Sequence, residues 1–287
     1  MYSYKKNLLP KNTIEFLIDI PKEEINSAYK KAFDSLKKDL VIPGFRKGTV
    51  PEKLAKQNID KGRIYEKLIN DLIPRIYNEI IKKENLNPIS SPKIELKKAK
   101  ENEDWQIKIT LAQKPIVDLK NLKTIIHKIK AEQKKDEIWI PGKDQKEKES
   151  EEVKRQKLFN SILNALLKEI NCEISDLLIE EELNYRLSSL LDEIKKIGLT
   201  VEAYLKSKNI TIDQLKEQYR KEIQETYQLE FILSAIADKE NITVDKEDLE
   251  KIFVNLSPEE RKKAEANSYF YAAIIRKQKT IDFLINL

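Results

Sequence analysis

Pro43-Gly44-Phe45-Arg46-Lys47-Gly48-Thr49-Val50-Pro51 is the stretch around which the rest of the chain can be ordered. Two of the five glycines and two of the ten prolines fall within it. Gly permits positive φ and close backbone approach, whereas Pro fixes φ and stops a helix. Between them stand an aromatic residue and two cations. This pattern predicts a stiff, exposed loop tip that presents Phe45, Arg46 and Lys47. A loop that only joined two helices would not need an exposed Phe. Such a tip suits an anionic, partly apolar partner surface, such as RNA with protein beside it.

Upstream, Pro21 stands at a helix start, and Ile25, Ala28, Tyr29, Ala32, Phe33, Leu36 and Leu40 follow at helical spacing. Before that helix, residues 3–9 and 12–20 read as two strands around a turn at Pro10-Lys11-Asn12. Ile14, Phe16, Ile18 and Ile20 alternate with Glu15, Leu17 and Asp19, so one face is wholly apolar. Downstream, Pro51 opens a short helix to about Asn58. A long helix over 62–84 then carries Ile64, Leu68, Ile69, Leu72, Ile73, Ile76, Tyr77, Ile80 and Ile81, with a kink expected at Pro74. Residues 93–98 and 105–114 read as a second strand pair. The order strand–strand–helix–helix–strand–strand predicts an α+β domain over residues 1–115, an antiparallel sheet with two main helices.

Residues 116–149 read as a linker or extended arm. Ile116 to Ile129 could form a further strand, and Ile138–Ile140 a short returning strand. From Ser150 every signal is helical, with starts at Ser175-Asp176, Thr200, Thr211-x-x-Gln214, Thr243-Val244-Asp245 and Ser257-Pro258-Glu259-Glu260. Helices are expected near 151–170, 175–196, 200–207, 211–239, 243–255 and 257–286, an all-helical domain over 150–287.

Charge divides the chain. Residues 1–120 hold 25 Lys/Arg against 17 Asp/Glu, and residues 121–287 hold 29 against 32. A basic front half suggests an anion-facing module joined to one with a different task. No apolar run approaches the roughly 18–20 residues that span a bilayer. The first residues lead into no continuous apolar stretch, so no signal peptide and a cytosolic protein are expected. The single cysteine, Cys172, excludes an internal disulfide. The single histidine, His127, excludes His-pair zinc motifs and disfavours a His-based triad.

No catalytic residue, metal site or cofactor is expected. Gly44-Phe45-Arg46-Lys47-Gly48-Thr49 lacks the spacing of a phosphate-binding P-loop. Glu180-Glu181-Glu182 reads as a solvated helix face. Cys172 reads as a small half-buried hydrophobe, and Trp105 and Trp139 as strand anchors.

The loop and its flanks resemble trigger factor, the bacterial ribosome-associated chaperone family. The family's loop reads G-F-R-x-G-[KR]-x-P. Gly44, Phe45, Arg46, Gly48 and Pro51 match it, Lys47 fills the variable position, and Thr49 stands where the family usually has a cation. The resemblance runs through the helix at 62–84 and Asn87-Pro88-Ile89, and the helical half resembles the family's C-terminal domain. It implies a ribosome-binding domain with Gly44, Phe45, Arg46, Lys47, Gly48 and Pro51 as its docking residues. It also implies an ATP-independent chaperone, whose partners are an exit-tunnel protein and rRNA of the large ribosomal subunit, and nascent or unfolded polypeptides. A homodimer is one candidate state off the ribosome, the sequence itself setting no oligomeric state, and no membrane partner is expected. Client-binding residues are not assigned. Tyr204, Tyr219, Tyr227, Phe231, Phe253, Tyr269, Phe270 and Tyr271 are aromatic candidates, each at core-like spacing. Typical members carry an FKBP-like prolyl isomerase domain between the two halves. About 35 residues separate them here, which implies a shortened form without isomerase activity. The rival readings are a SurA-like or free cytosolic holdase, and a ribosome-assembly or RNA-binding adaptor.

Overall fold

The computed structural model describes residues 2–136, 150–254 and 256–287. The chain forms two compact units, Met1–Lys114 and Pro115–Leu287. It is an α+β protein, with a four-stranded antiparallel sheet and helices in the first unit and helices alone in the described part of the second.

In the first unit, β1 (Ser3–Leu9) and β2 (Thr13–Ile20) form a hairpin, and β3 (Lys93–Lys98) and β4 (Trp105–Ala112) complete a sheet of order β1-β2-β4-β3. The β2–β4 register places Ile14 opposite Leu111, Phe16 opposite Ile109, Ile18 opposite Ile107 and Ile20 opposite Trp105. Directly opposed residues share a face, so the alternation in β2 becomes a continuous apolar surface. All eight side chains are buried. At about 1.5–3 kcal/mol for each fully buried large apolar side chain, this layer is a main source of the unit's stability. The sheet packs with α1 (Lys22–Asp39) and α3 (Lys61–Lys83) around one core. α3 runs through Pro74, and its buried stripe continues from Ile64 to Ile80. The opposite sheet face is polar, with the Lys108 ammonium 3.5 Å from both Glu15 and Glu95. α2 (Glu52–Asn58) starts directly after Pro51 and buries Ala55.

The second unit corrects the reading of residues 116–129. A helix, α4 (Leu122–Asp136), forms where a strand or extended arm was expected. Leu119, Leu122, Ile125, Ile126 and Ile129 are buried. Their spacing is a helical stripe, and the β-branched isoleucines had suggested a strand. α4 packs against α5 (Glu151–Glu169), so this segment is part of the helical unit rather than a separate arm. The Lys239 ammonium also donates to the Leu119 carbonyl at 3.3 Å. The strand expected at Ile138–Ile140, with Trp139, lies outside the described residues.

α6 (Asp176–Lys196), α7 (Val201–Lys208) and α8 (Ile212–Lys239) follow, and α8 packs on α5 and α6. Ser175, Thr200 and Thr211 cap their helices as expected, Thr211 with Gln214 as a full capping box. α9 (Lys246–Phe253) starts later than expected, because the Asp245 carboxylate rather than Thr243 accepts the Asp248 N–H. The expected single helix over 257–286 is two, α10 (Pro258–Ala266) and α11 (Ser268–Asn286). Asn267 divides them. Its side-chain amide donates to the Lys263 carbonyl at 2.9 Å, a local bond that competes with the helical ladder. Cys172 is fully buried rather than half-buried, and burial pushes its thiol up to about 11.

Candidate functional site

The chain leaves α1 at Leu40 and re-enters the core at Val50, which is 1% exposed. Between these points the backbone makes two successive tight turns. The Phe45 N–H donates to the Ile42 carbonyl at 3.0 Å, and the Thr49 N–H to the Arg46 carbonyl at 3.0 Å. Glycine stands at the third position of each turn, Gly44 at φ 86° and Gly48 at φ 83°. With Pro43 before Gly44, the first turn has the sequence signature of type II, which requires positive φ at that position. A Cβ on Gly48 would also lie 3.5 Å from the Lys38 carbonyl. The paired glycines and the leading proline therefore have a geometric cause.

Thr49 contributes to the second turn. Its hydroxyl donates to the Arg46 carbonyl at 2.7 Å, so both its donors close the same turn. Residues 43–49 are all exposed, and Phe45 is 40% exposed. Lys47 is drawn back towards α1, its ammonium 2.9 Å from an Asp39 carboxylate oxygen. The Lys47 ammonium holds the Asp39 carboxyl below the usual carboxylate range. Arg46 makes no ion pair among the described residues. The structure thus brings Phe45, Arg46 and Lys47 onto one tip, with Gly44 and Gly48 shaping it and Pro51 at the start of α2. Sequence reasoning missed Asp39 and Val50. Val50 could have been read as the one aliphatic residue between Pro43 and Pro51. Asp39 carries no local signal, because its contact exists only once the loop has turned back.

The aromatic candidates of the helical unit separate on inspection. Phe253 is buried and meets Tyr271 edge-on at 5.5 Å. Tyr227 stacks on Phe231 at 6.3 Å, and these two, Tyr204, Tyr219 and Tyr271 are half-buried. Tyr269 and Phe270 are 89% and 62% exposed, with Ile252, Val254 and Ile274 also exposed on α9, after it and on α11. Glu180 pairs with Arg220 and Glu182 with Arg186, as expected of a solvated helix face. Trp105 is buried in β4, its indole donating to the Lys100 carbonyl at 3.0 Å. His127 lies exposed on α4. Among the described residues no cluster of three or more His, Cys, Asp or Glu could hold a metal ion, and no helix is long and apolar enough to cross a membrane.

Two family profiles match the chain. One, described as bacterial trigger factor protein, matches residues 1–139, and the other, its C-terminus, matches residues 142–286. The chain belongs to the trigger factor family. The trigger factor of Streptococcus mutans is 30% identical over 131 residues, which take in 45% of this chain and 30% of that protein. That of Finegoldia magna is 35% identical over 108 residues, 38% of this chain and 24% of that protein. The matched region is therefore under a third of these relatives' length. A solved structure from work on promiscuous substrate recognition by the trigger factor chaperone shares the fold. It has a TM-score of 0.63 and 16% identity over 99% of both chains. The two trigger factor profiles leave only residues 140 and 141 between them, and no isomerase domain is found.

Proposed function

We propose that this protein is an ATP-independent chaperone of the cytoplasm that docks at the tunnel exit of the large ribosomal subunit and shields nascent polypeptides. The observation that carries the reading is the doubly turned, glycine-shaped loop with Phe45 and Arg46 at its tip, in a chain of this family. Phe45 enters an apolar niche on an exit-tunnel protein. Arg46 pairs with a carboxylate or with rRNA phosphate, a contact that salt weakens. Gly44, Gly48 and Pro51 hold the loop in its bound shape, so little ordering entropy is lost on docking. Lys47 stays on the tip while its charge is partly met by Asp39.

The exposed group of Tyr269, Phe270, Ile274, Ile252 and Val254 is the surface we assign to clients. Unfolded chains differ in sequence and are best held by scattered apolar side chains rather than by one deep pocket. The protein has no isomerase activity in this reading.

Co-sedimentation with bacterial ribosomes tests the docking. The native protein should pellet with them, and the Phe45→Ala, Arg46→Ala, Lys47→Ala variant should stay in solution. Equal pelleting of both, or of neither, would remove the loop from docking. For the client surface, Tyr269→Ser with Phe270→Ser should weaken suppression of aggregation for several unrelated proteins. Unchanged suppression would place the client surface elsewhere.

A further inference from the structure

The loop carries less free positive charge than its sequence suggests. Lys47 is tied to Asp39 and position 49 is Thr, which leaves Arg46 as the loop cation that has no ion pair among the described residues. Five lysines without an ion pair among the described residues stand on the two helices beside it. Lys30, Lys31, Lys37 and Lys38 lie on α1. At about 100° per residue these four fall within an arc of roughly 120°, opposite the stripe that buries Ile25 and Ala32. The C-terminal end of this arc meets the loop, since Lys38 offers its carbonyl under Gly48 and Asp39 receives Lys47.

α2 extends the same surface. The charges of Lys37 and Lys30 both reach Glu52, which puts the first turn of α2, with exposed Lys53, beside the α1 lysines. Among the described residues none of Lys30, Lys31, Lys37, Lys38 and Lys53 makes a direct ion pair. Glu23 falls on the same arc in the first turn of α1, and three further carboxylates lie nearby. Glu52 is engaged by Lys56 at 2.6 Å, Asp39 by Lys47, and Asp34 stands on the lysine arc. Some other lysines of the unit are paired, Lys6 with Glu84, Lys61 with Glu101, Lys67 with Asp71 and Lys98 with Glu103, while Lys5, Lys22, Lys82 and Lys100 make no ion pair among the described residues and stand apart from this arc.

The chemistry of this face points to one kind of anion. All five cations are Lys, flexible point charges that can meet successive backbone phosphates without the fixed geometry an Arg fork imposes. No aromatic ring is exposed on the α1 arc to stack on unpaired bases, because Tyr29 is half-buried against Tyr65 at 5.1 Å. Sequence-independent contact with a duplex backbone needs only such a spread of charge. We propose that the lysine face of α1 and the first turn of α2 bind the phosphate backbone of double-helical RNA, independently of the Phe45–Arg46 tip. Its place beside the loop gains its meaning from the ribosome reading, but its binding chemistry stands without it.

The test uses the whole protein and a labelled RNA hairpin, followed by fluorescence anisotropy across a salt series. The native protein should bind, with an affinity that falls as salt rises by about 0.9 log unit per log unit for each phosphate neutralised. A Lys30→Glu, Lys37→Glu, Lys38→Glu variant should lose tenfold or more in affinity and about three contacts from that slope. A Lys→Gln triple at the same positions should show the smaller loss of neutralisation alone, and supplies the test if the reversal unfolds the protein. The Phe45→Ala variant, which alters the tip and removes no charge, should keep the affinity for the hairpin. Native affinity and slope in both lysine triples would overturn the proposal, as would tighter binding to polyglutamate than to the hairpin at equal salt. Loss of ribosome docking with hairpin binding intact would sink the ribosome reading and leave this one standing. Loop-dependent ribosome docking without hairpin binding would do the reverse.

Discussion

Replacing Gly48 with Ala places a Cβ on a residue at φ 83°, 3.5 Å from the Lys38 carbonyl. The contact is ordinary van der Waals distance, so the cost comes from the backbone. An L-residue in the left-handed region costs roughly 1–2 kcal/mol. The substitution also removes freedom from the unfolded chain, which returns about 0.4–1 kcal/mol. Two outcomes share this strain. If the turn holds, with the Thr49 N–H and hydroxyl still on the Arg46 carbonyl, the unfolding free energy drops by about 1 kcal/mol. If the turn opens, stability is kept and the docking geometry is lost. At 1.4 kcal/mol per tenfold, reforming the turn on binding weakens docking roughly 5- to 30-fold. Urea unfolding and ribosome co-sedimentation, run on one preparation, separate the two. Gly62→Ala is the control. Gly62 has no positive φ and lies inside α3, and its new Cβ meets only the movable Asp60 carboxylate. Ala there should be neutral or stabilising, since it gains helix propensity. A Gly48→Ala protein unchanged in both urea midpoint and docking would refute the idea that positive φ at this position shapes the tip.

Two further outcomes follow from the electrostatics. Glu95 is held down to about 2, first by its hydrogen bond from Lys97 and then by the charges of Lys108 and Lys97. Its contribution to stability is complete above the ordinary glutamate value and is lost as pH falls through about 2, so Lys97→Ala should bring the acid loss to higher pH, read as a Glu95 carboxyl titration by NMR; an unmoved titration would contradict the pairing. The Cys172 thiol, raised to about 11 by burial, should resist a disulfide reagent in the native protein and react promptly in urea. Rapid native labelling at neutral pH would mean that the pocket around it opens.

Period decided most of what could be read early. Ile14, Phe16, Ile18 and Ile20 alternate so regularly that strand, face and core follow together, and the sheet register only chose their partners. Capping residues marked the helical half equally well where side chain and spacing agreed, as at Thr211 with Gln214 and Ser257 with Glu260. Local rules failed where two signals competed. Leu119 to Ile129 combine β-branched residues with a helical stripe, and burial against α5 settled the contest for helix. At Asn267 a side-chain amide bonded to the preceding turn and ended a helix that periodicity alone would have continued.

For the candidate site the division is sharper. Gly44, Phe45, Arg46, Lys47, Gly48 and Pro51 were legible as a presented loop from composition alone, because few glycines in a helix-rich chain fall where positive φ is required. By itself the sequence determined the α+β order, the helical second half and the identity of the loop. The tertiary structure alone decided which charges remain free. Lys47 and Asp39 are eight positions apart and meet only because two tight turns fold the loop back on α1. Ion pairing depends on distance in space rather than along the chain, so the loss of one loop cation and the open lysine face of α1 emerge only once the helices are packed.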